Sequence, residues 1–365
     1  MLVAAILLAV LGLAGLIVLL RKPKPTPAVA ARSAPGAPVV AAVDAVPAAK
    51  PAAVLAELDS LRWIRAESLP DPQRQAIAAV FRNVPRPPRL LHQLISPEFV
   101  NNASLEQLAE LIGSEPLVAA RVLATANSSM FGLATPVTGL HQAISTLGLI
   151  TLRILCLQYM MIRSFKADSP ERQTLLNNLW NASALASELC VRLARAVGRP
   201  EPGRLVTLVV LSFLGRLAST ATMPRGLLAT IPVGSFLERT RNEQTALGLG
   251  TAEIGGLLMR QWDLPATLVD EVRRVDTCLV EPARDLDLAL CYLSARLGEK
   301  LASGELQSLA DFDLILSDSP DFHRIQARLA QPDWLQMARA LHEPALVESM
   351  QAMATALRDG AAVAA

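Results

Sequence analysis

A chain of 365 residues with 52% hydrophobic and only 4% aromatic side chains has apolar mass for two or three units and must fill its cores with Leu, Ala, Val and Ile. That palette suits close helix packing and argues against a β-sandwich, whose strands are enriched in aromatic and β-branched residues. A net charge of +1 supplies no long-range field, and no basic run is interleaved with aromatics for base stacking, so nucleic acid is disfavoured as a partner.

Leu2 to Leu20 carry no charged side chain, and about nineteen residues at about 1.5 Å each approach the hydrocarbon thickness of a bilayer. Arg21, Lys22 and Lys24 follow at once, which the positive-inside rule places in the cytoplasm. A cleaved leader carries its positive charge ahead of a shorter apolar core. Residues 1–20 are therefore read as a retained, single-pass anchor in the inner membrane, with residues 2–20 in the lipid bilayer; cleavage after Ala30 or Ala31 is the alternative. Residues 21–56 follow as a Pro/Ala-rich linker: between residues 21 and 53 there are seven Pro and twelve Ala, which favour extended polyproline-like stretches at about 3 Å per residue. A helical lead-in is expected over 57–83.

Helical spacing dominates the rest, and no strand pattern competes with it. Ser104 and Gln107 form a capping-box pattern ahead of Leu108, Leu111 and Ile112, with Gly113 placed to close that helix. Leu117, Ala120, Leu123 and Ala124 recur at three- and four-residue steps and predict the buried stripe of the next helix. Asn127 and Ser128 end it, Gly132 and Pro136 keep the chain irregular, and Thr138 is expected to cap a helix whose stripe is Leu140, Ile144 and Leu147. Ser169-Pro170 opens a long helix towards Gly198, with Leu175, Leu176, Leu179, Ala182 and Ala186 inward and Cys190 on the same face. Arg192, Arg195 and Arg199 line its last turns. They read first as partners of the helix C-terminus and solvent, and alternatively as a docking site for an acidic partner or a cyclic dinucleotide phosphate. Later stripes run through Leu286, Leu290, Leu293 and Leu297, and then past Trp334 and Met337 to an Ala-rich tail after Gly360 that is expected to fray. The fold class is all-α. Cys156, Cys190, Cys278 and Cys291 are too widely spaced for a zinc motif and read as structural thiols.

The segment from Arg121 to Gly148, with its Asn-Ser-Ser-Met-Phe-Gly turn, resembles the HDOD family, bacterial signalling modules related to the HD-type metal-dependent phosphohydrolases. The resemblance begins near Val84-Pro85-Arg86-Pro87-Pro88, takes in Leu105 to Glu115, and continues through Trp180, Leu214-Gly215-Arg216-Leu217 and Trp262-Asp263-Leu264-Pro265. It implies an HD-like helical bundle over 84–280, followed by a C-terminal helical extension over 281–365. It also implies where an HD enzyme would hold its metal. One His would fall at Ala182, the His-Asp dyad at Ser212 and Phe213, and further His residues at Thr251 and at the Val275-Asp276 pair. Only Asp276 is a possible ligand, and one carboxylate does not make a metal centre. No cofactor and no catalytic residue is expected.

Arg121, Asn127, Ser128, Phe131, Gly132, His141 and Gly148 are candidate motif or interaction residues. For Asn127 and Ser128 the reading as helix terminator and loop support stands ahead of display to a partner. His92, His141, His323 and His342 form no cluster in sequence. Three functions follow: a non-catalytic signalling adaptor for a protein partner, a nucleotide or cyclic-dinucleotide phosphohydrolase with rebuilt ligands, and a small-ligand sensor using the vacated metal cavity.

Overall fold

Three- and four-residue apolar spacing resolves into helices throughout a computed structural model that describes residues 52–82, 84–87, 89–96, 103–127, 135–199, 202–228, 235–281, 285–317 and 319–364. The anchor expected over 1–20, most of the linker, and Ser128, Phe131 and Gly132 lie outside the described residues. Among those described, every regular element is helical.

The first helices are α1 (Ala52–Asp59), α2 (Asp71–Val80), α3 (Arg89–Ile95) and α4 (Leu105–Gly113). The capping box forms as expected: Gln107 N donates to Ser104 Oγ at 3.2 Å while Ser104 N donates to Gln107 Oε1 at 2.8 Å. In α5 (Pro116–Ala126) the expected stripe is rotated. Val118, Val122, Thr125 and Ala126 are buried, whereas Leu117 is 55% exposed and Ala120 and Ala124 face solvent. Both sets obey the helical period, and contact with α6 (Leu140–Leu147) and α7 (Leu149–Ser164) selects the one carrying the valines. Gly139, not Thr138, precedes α6, in extended conformation and without a side-chain cap. Ile144 and Leu147 are buried as predicted. Gly148 adopts φ +76° and ψ 158°, a region essentially reserved for glycine, and turns the chain by 106° into α7.

The centre is built from α8 (Pro170–Ala196), α9 (Pro202–Ser212), α10 (Leu214–Thr222), α11 (Arg225–Leu228), α12 (Phe236–Leu247), α13 (Thr251–Gln261), α14 (Ala266–Thr277) and α15 (Leu286–Ser303). Ser169 caps α8 by accepting from Arg172 N at 3.3 Å, with Pro170 opening the helix. α8 lies along α15, and Gly298 allows the approach: a Cβ there would stand 2.6 Å from the Ala182 carbonyl oxygen. α16 (Pro320–Arg328), α17 (Gln331–Leu341) and α18 (Pro344–Ala364) complete the bundle. Among the described residues one helical stretch, Pro202–Thr222, is long and apolar enough to cross a membrane, but 72% of its most apolar window is buried inside the bundle. It is the core of the protein, with Val206, Leu208, Val209, Leu214 and Leu217 fully buried.

A single apolar core runs from Leu58 to Leu357, past both ends of the 84–280 span. The lead-in is sewn to it by Glu253, which accepts from Trp63 Nε1 and from Ala66 N, each at 2.9 Å. Two distant motif segments also meet: Arg86 pairs with Asp263 at 2.6 Å. Asp263 sits at φ 58°, and the bonds Leu264 N to Met259 O and Asp263 N to Arg260 O, both 3.0 Å, close α13 as a Schellman turn. A left-handed β-branched residue is strained, whereas the exposed ion pair contributes little. Asp263→Val should therefore cost about 1–2 kcal/mol in urea unfolding while Asp263→Gly stays within about 0.5 kcal/mol of wild type.

Candidate functional site

Five helices converge on a cavity of about 100 Å³ lined by Ala182 of α8, Arg216 of α10, Glu243 of α12, Thr251 of α13 and, from α15, Glu299. Two of the expected metal-ligand positions, Ala182 and Thr251, are thus in its wall. Asp276 is buried behind it, within 4.0 Å of Arg296, while Val275 is fully buried in the core. Ser212 donates its hydroxyl to Val209 O of its own helix at 2.7 Å, and Phe213 is buried. One turn beyond them, Arg216 enters the cavity instead.

Glu299 is the hub. Its carboxylate pairs with Arg216, accepts from Arg239 Nη1 at 3.3 Å, and meets Arg296 Nη2 at 2.7 Å. Arg239 also faces Glu243 at 3.6 Å, and Glu243 accepts from Thr251 N at 2.9 Å and from Thr251 Oγ1 at 3.0 Å. Three guanidiniums thus meet three carboxylates, Glu243, Asp276 and Glu299, almost wholly out of water. Burial of that many charges is tolerable only because each faces an opposite charge.

A divalent cation needs carboxylate or imidazole lone pairs converging on one open position. Here the oxygens of Glu299 are turned to three guanidiniums, Glu243 is held by Thr251 and Arg239, and Ala182 has no donor. Among the described residues no group of three His, Cys, Asp or Glu side chains is disposed to hold an ion. These residues do not fit the metal of an HD enzyme.

A family model described as the HDOD domain matches residues 84–278, more than half of the chain. The chain belongs to the HDOD family. No curated protein matches the whole sequence significantly. Among solved structures, an HDOD domain protein of unknown function from Geobacter sulfurreducens is 15% identical with a TM-score of 0.56, covering 79% of this chain and 98% of its own. A candidate phosphohydrolase from Shewanella amazonensis SB2B is 18% identical with a TM-score of 0.52, covering 77% of this chain and 98% of its own. At such identities the likeness is one of fold, and that fold is all-helical here too.

In this HDOD chain none of the other described candidate residues lines the cavity. Asn127 clamps the far side of its loop with both amide atoms, donating from Nδ2 to Val137 O at 2.7 Å and accepting from Val137 N at 2.6 Å. That is a structural role, closing the excursion between α5 and α6. His141 is exposed and Arg121 half-buried, with burial pushing the Arg121 guanidinium below its ordinary value against the influence of Tyr159. Of the three arginines expected in the last turns of α8, Arg192 pairs with Glu188 at 2.8 Å and Arg195 is exposed, while Arg199 lies past the helix end at Ala196 and pairs with Asp287 at 2.8 Å. The thiols are free, and burial pushes Cys156 up to about 12 and raises Cys278 and Cys291 as well, which disfavours reactive thiolates at these three.

The charged residues of the cluster escape a sequence reading. Arg239 and Glu243, four apart, and Arg296 and Glu299, three apart, have the spacing of solvated helix pairs, and nothing local says that these turns face inward.

Burial raises the Asp276 carboxyl from 3.8 to about 6, with Arg239 pulling the other way. A carboxyl whose folded value is raised adds stability that is fully present below its unfolded pKa near 4 and is lost as pH rises through 6. The loss amounts to about 3 kcal/mol. Asp276→Asn has no such group, so its stability relative to wild type should rise by about that amount between pH 4 and pH 7 in denaturant titrations. Parallel pH profiles for the two proteins would contradict this account.

Proposed function

We propose that this HDOD protein is a non-catalytic signalling module that works by binding a protein partner while tethered to the inner membrane. The carrying observation is the cluster of Arg216, Arg239 and Arg296 with Glu243, Asp276 and Glu299: guanidiniums engage the carboxylates at the cavity that Ala182 and Thr251 also line, two positions where the family resemblance implies metal ligands. A domain so built keeps the scaffold and its surfaces without hydrolytic chemistry. Residues 1–20 supply the anchor and the Pro/Ala-rich segment that follows supplies reach.

Metal analysis and phosphodiesterase assays on the purified full chain test the first half. Stoichiometric Mn, Fe or Zn that is lost together with activity on nucleotides or cyclic dinucleotides would overturn it, and neither is expected. For the tether, removal of residues 1–20 should release the protein from membranes and change the partners captured by crosslinking; unchanged fractionation would defeat it. The cavity favours a second reading, a small-ligand sensor without turnover. Its wall includes Ser219, a buried side chain whose hydroxyl has no partner among the described residues. A ligand of that kind would show as a thermal shift of the full chain.

A further inference from the structure

Arg153, on α7, is 4% exposed, yet no carboxylate pairs with it and its Nε has no hydrogen-bond partner among the described residues. It is directed at the start of α9. A Cβ built on Gly203, the second residue of that helix, would stand 2.7 Å from Arg153 Nη1 and 3.6 Å from its central guanidinium carbon. Two unfavourable features therefore coincide. A cation is held largely out of water without a counter-charge among the described residues, and it lies against the positive end of an eleven-residue helix. The first N–H groups of a helix have no acceptor within it; Pro202 has none to offer, which leaves those of Gly203, Arg204 and Leu205. The neighbouring arginines are engaged elsewhere, Arg199 with Asp287 and Arg204 with Glu271 at 2.6 Å.

The geometry points to an oxyanion site of the phosphate class beside the contact of the Arg153 guanidinium with the first turn of α9, where both can reach one ligand. A tetrahedral oxyanion accepts from a guanidinium fork and from successive backbone N–H groups at once, and it neutralises both positive ends. Gly203 is the residue such a site requires, because only a missing side chain lets the guanidinium and the helix backbone approach the same ligand. Burial by itself pushes the Arg153 guanidinium below its ordinary value, the expected state of a cation whose counter-ion arrives as ligand. The site is separate from the Glu299 cluster and does not depend on the signalling reading.

The test is thermal unfolding of the full chain during titration with inorganic phosphate at constant ionic strength, with acetate and chloride as controls. Wild type should show a saturable rise in Tm with phosphate and much less with acetate. Arg153→Met should abolish the phosphate response while leaving Tm in phosphate-free buffer equal to or above that of wild type, since an unpaired buried charge is gone. Gly203→Ala, which keeps every charge, should weaken phosphate binding by about tenfold or more. It supplies the test should Arg153→Met fail to fold. Absence of a saturable response in wild type, an equal response to acetate, or an undiminished response in Gly203→Ala overturns the proposal.

Discussion

Replacing Gly215 by alanine is expected to cost more than about 3 kcal/mol of stability, the largest effect of a methyl group added at any of the described glycines. The new Cβ would lie 1.7 Å from the carbonyl oxygen of Thr251, 2.7 Å from its carbonyl carbon and 2.9 Å from Gly255 N. All three are backbone atoms of α13, so no rotamer change can relieve the clash. α10 and α13 would have to separate, and Leu214, Leu217 and Leu258, all fully buried, would lose contacts on both sides of the gap. The disturbance also reaches the charged cluster, because the Thr251 whose carbonyl is struck is the residue that holds Glu243. Gly139→Ala is the control. No atom lies within 4 Å of its Cβ and its φ is an ordinary −106°, so its midpoint in urea should match wild type to within about 0.5 kcal/mol. Equal midpoints for the two variants would refute the close crossing.

Gly215 also shows what a sequence can and cannot disclose. Helix starts written in local chemistry were legible: Ser104 with Gln107, and Ser169 with Pro170, cap helices as their side chains dictate. The family was legible in the Asn127 turn and in the Trp262-Asp263-Leu264-Pro265 segment because those residues carry backbone instructions. Asn127 supplies an amide that closes a loop, and Asp263 accepts a left-handed conformation. The phase of α5 was not legible, since a helix made mostly of Ala, Val and Leu is nearly apolar all round and only its neighbours choose the face. The cluster was hidden for a related reason. Ala182, Ser212 and Phe213 say what the site lacks, but which charges fill it depends on α12 and α15 turning inward from far along the chain. Arg153 went unnoticed because an arginine inside the run Leu152-Arg153-Ile154-Leu155 looks like one solvated position on a core helix.

The hub of that cluster is the second place where a single side chain should matter greatly. Glu299→Ala leaves Arg216, Arg239 and Arg296 facing only Glu243 and Asp276 in a region closed to water. Stranding a buried charge in this way costs about 3–5 kcal/mol, far more than an exposed ion pair contributes. The loss does not measure the net worth of the ion pairs, because desolvation offsets most of their attraction in the folded protein. A second variant separates the two. Arg216→Met on top of Glu299→Ala removes one positive charge with one negative and should recover part of the deficit, giving a coupling of about 1–3 kcal/mol in a double-mutant cycle. The carboxyl of Asp276 reports independently on the same charge balance. Glu299 is one of the groups that keep it high and Arg239 one of those that pull it down. In Glu299→Ala the arginine acts with less opposition, so the Asp276 carboxyl should fall from about 6 and the stability slope between pH 4 and pH 6 should flatten. A variant that loses several kcal/mol yet keeps the full wild-type slope would mean that Glu299 and Asp276 do not share one electrostatic site.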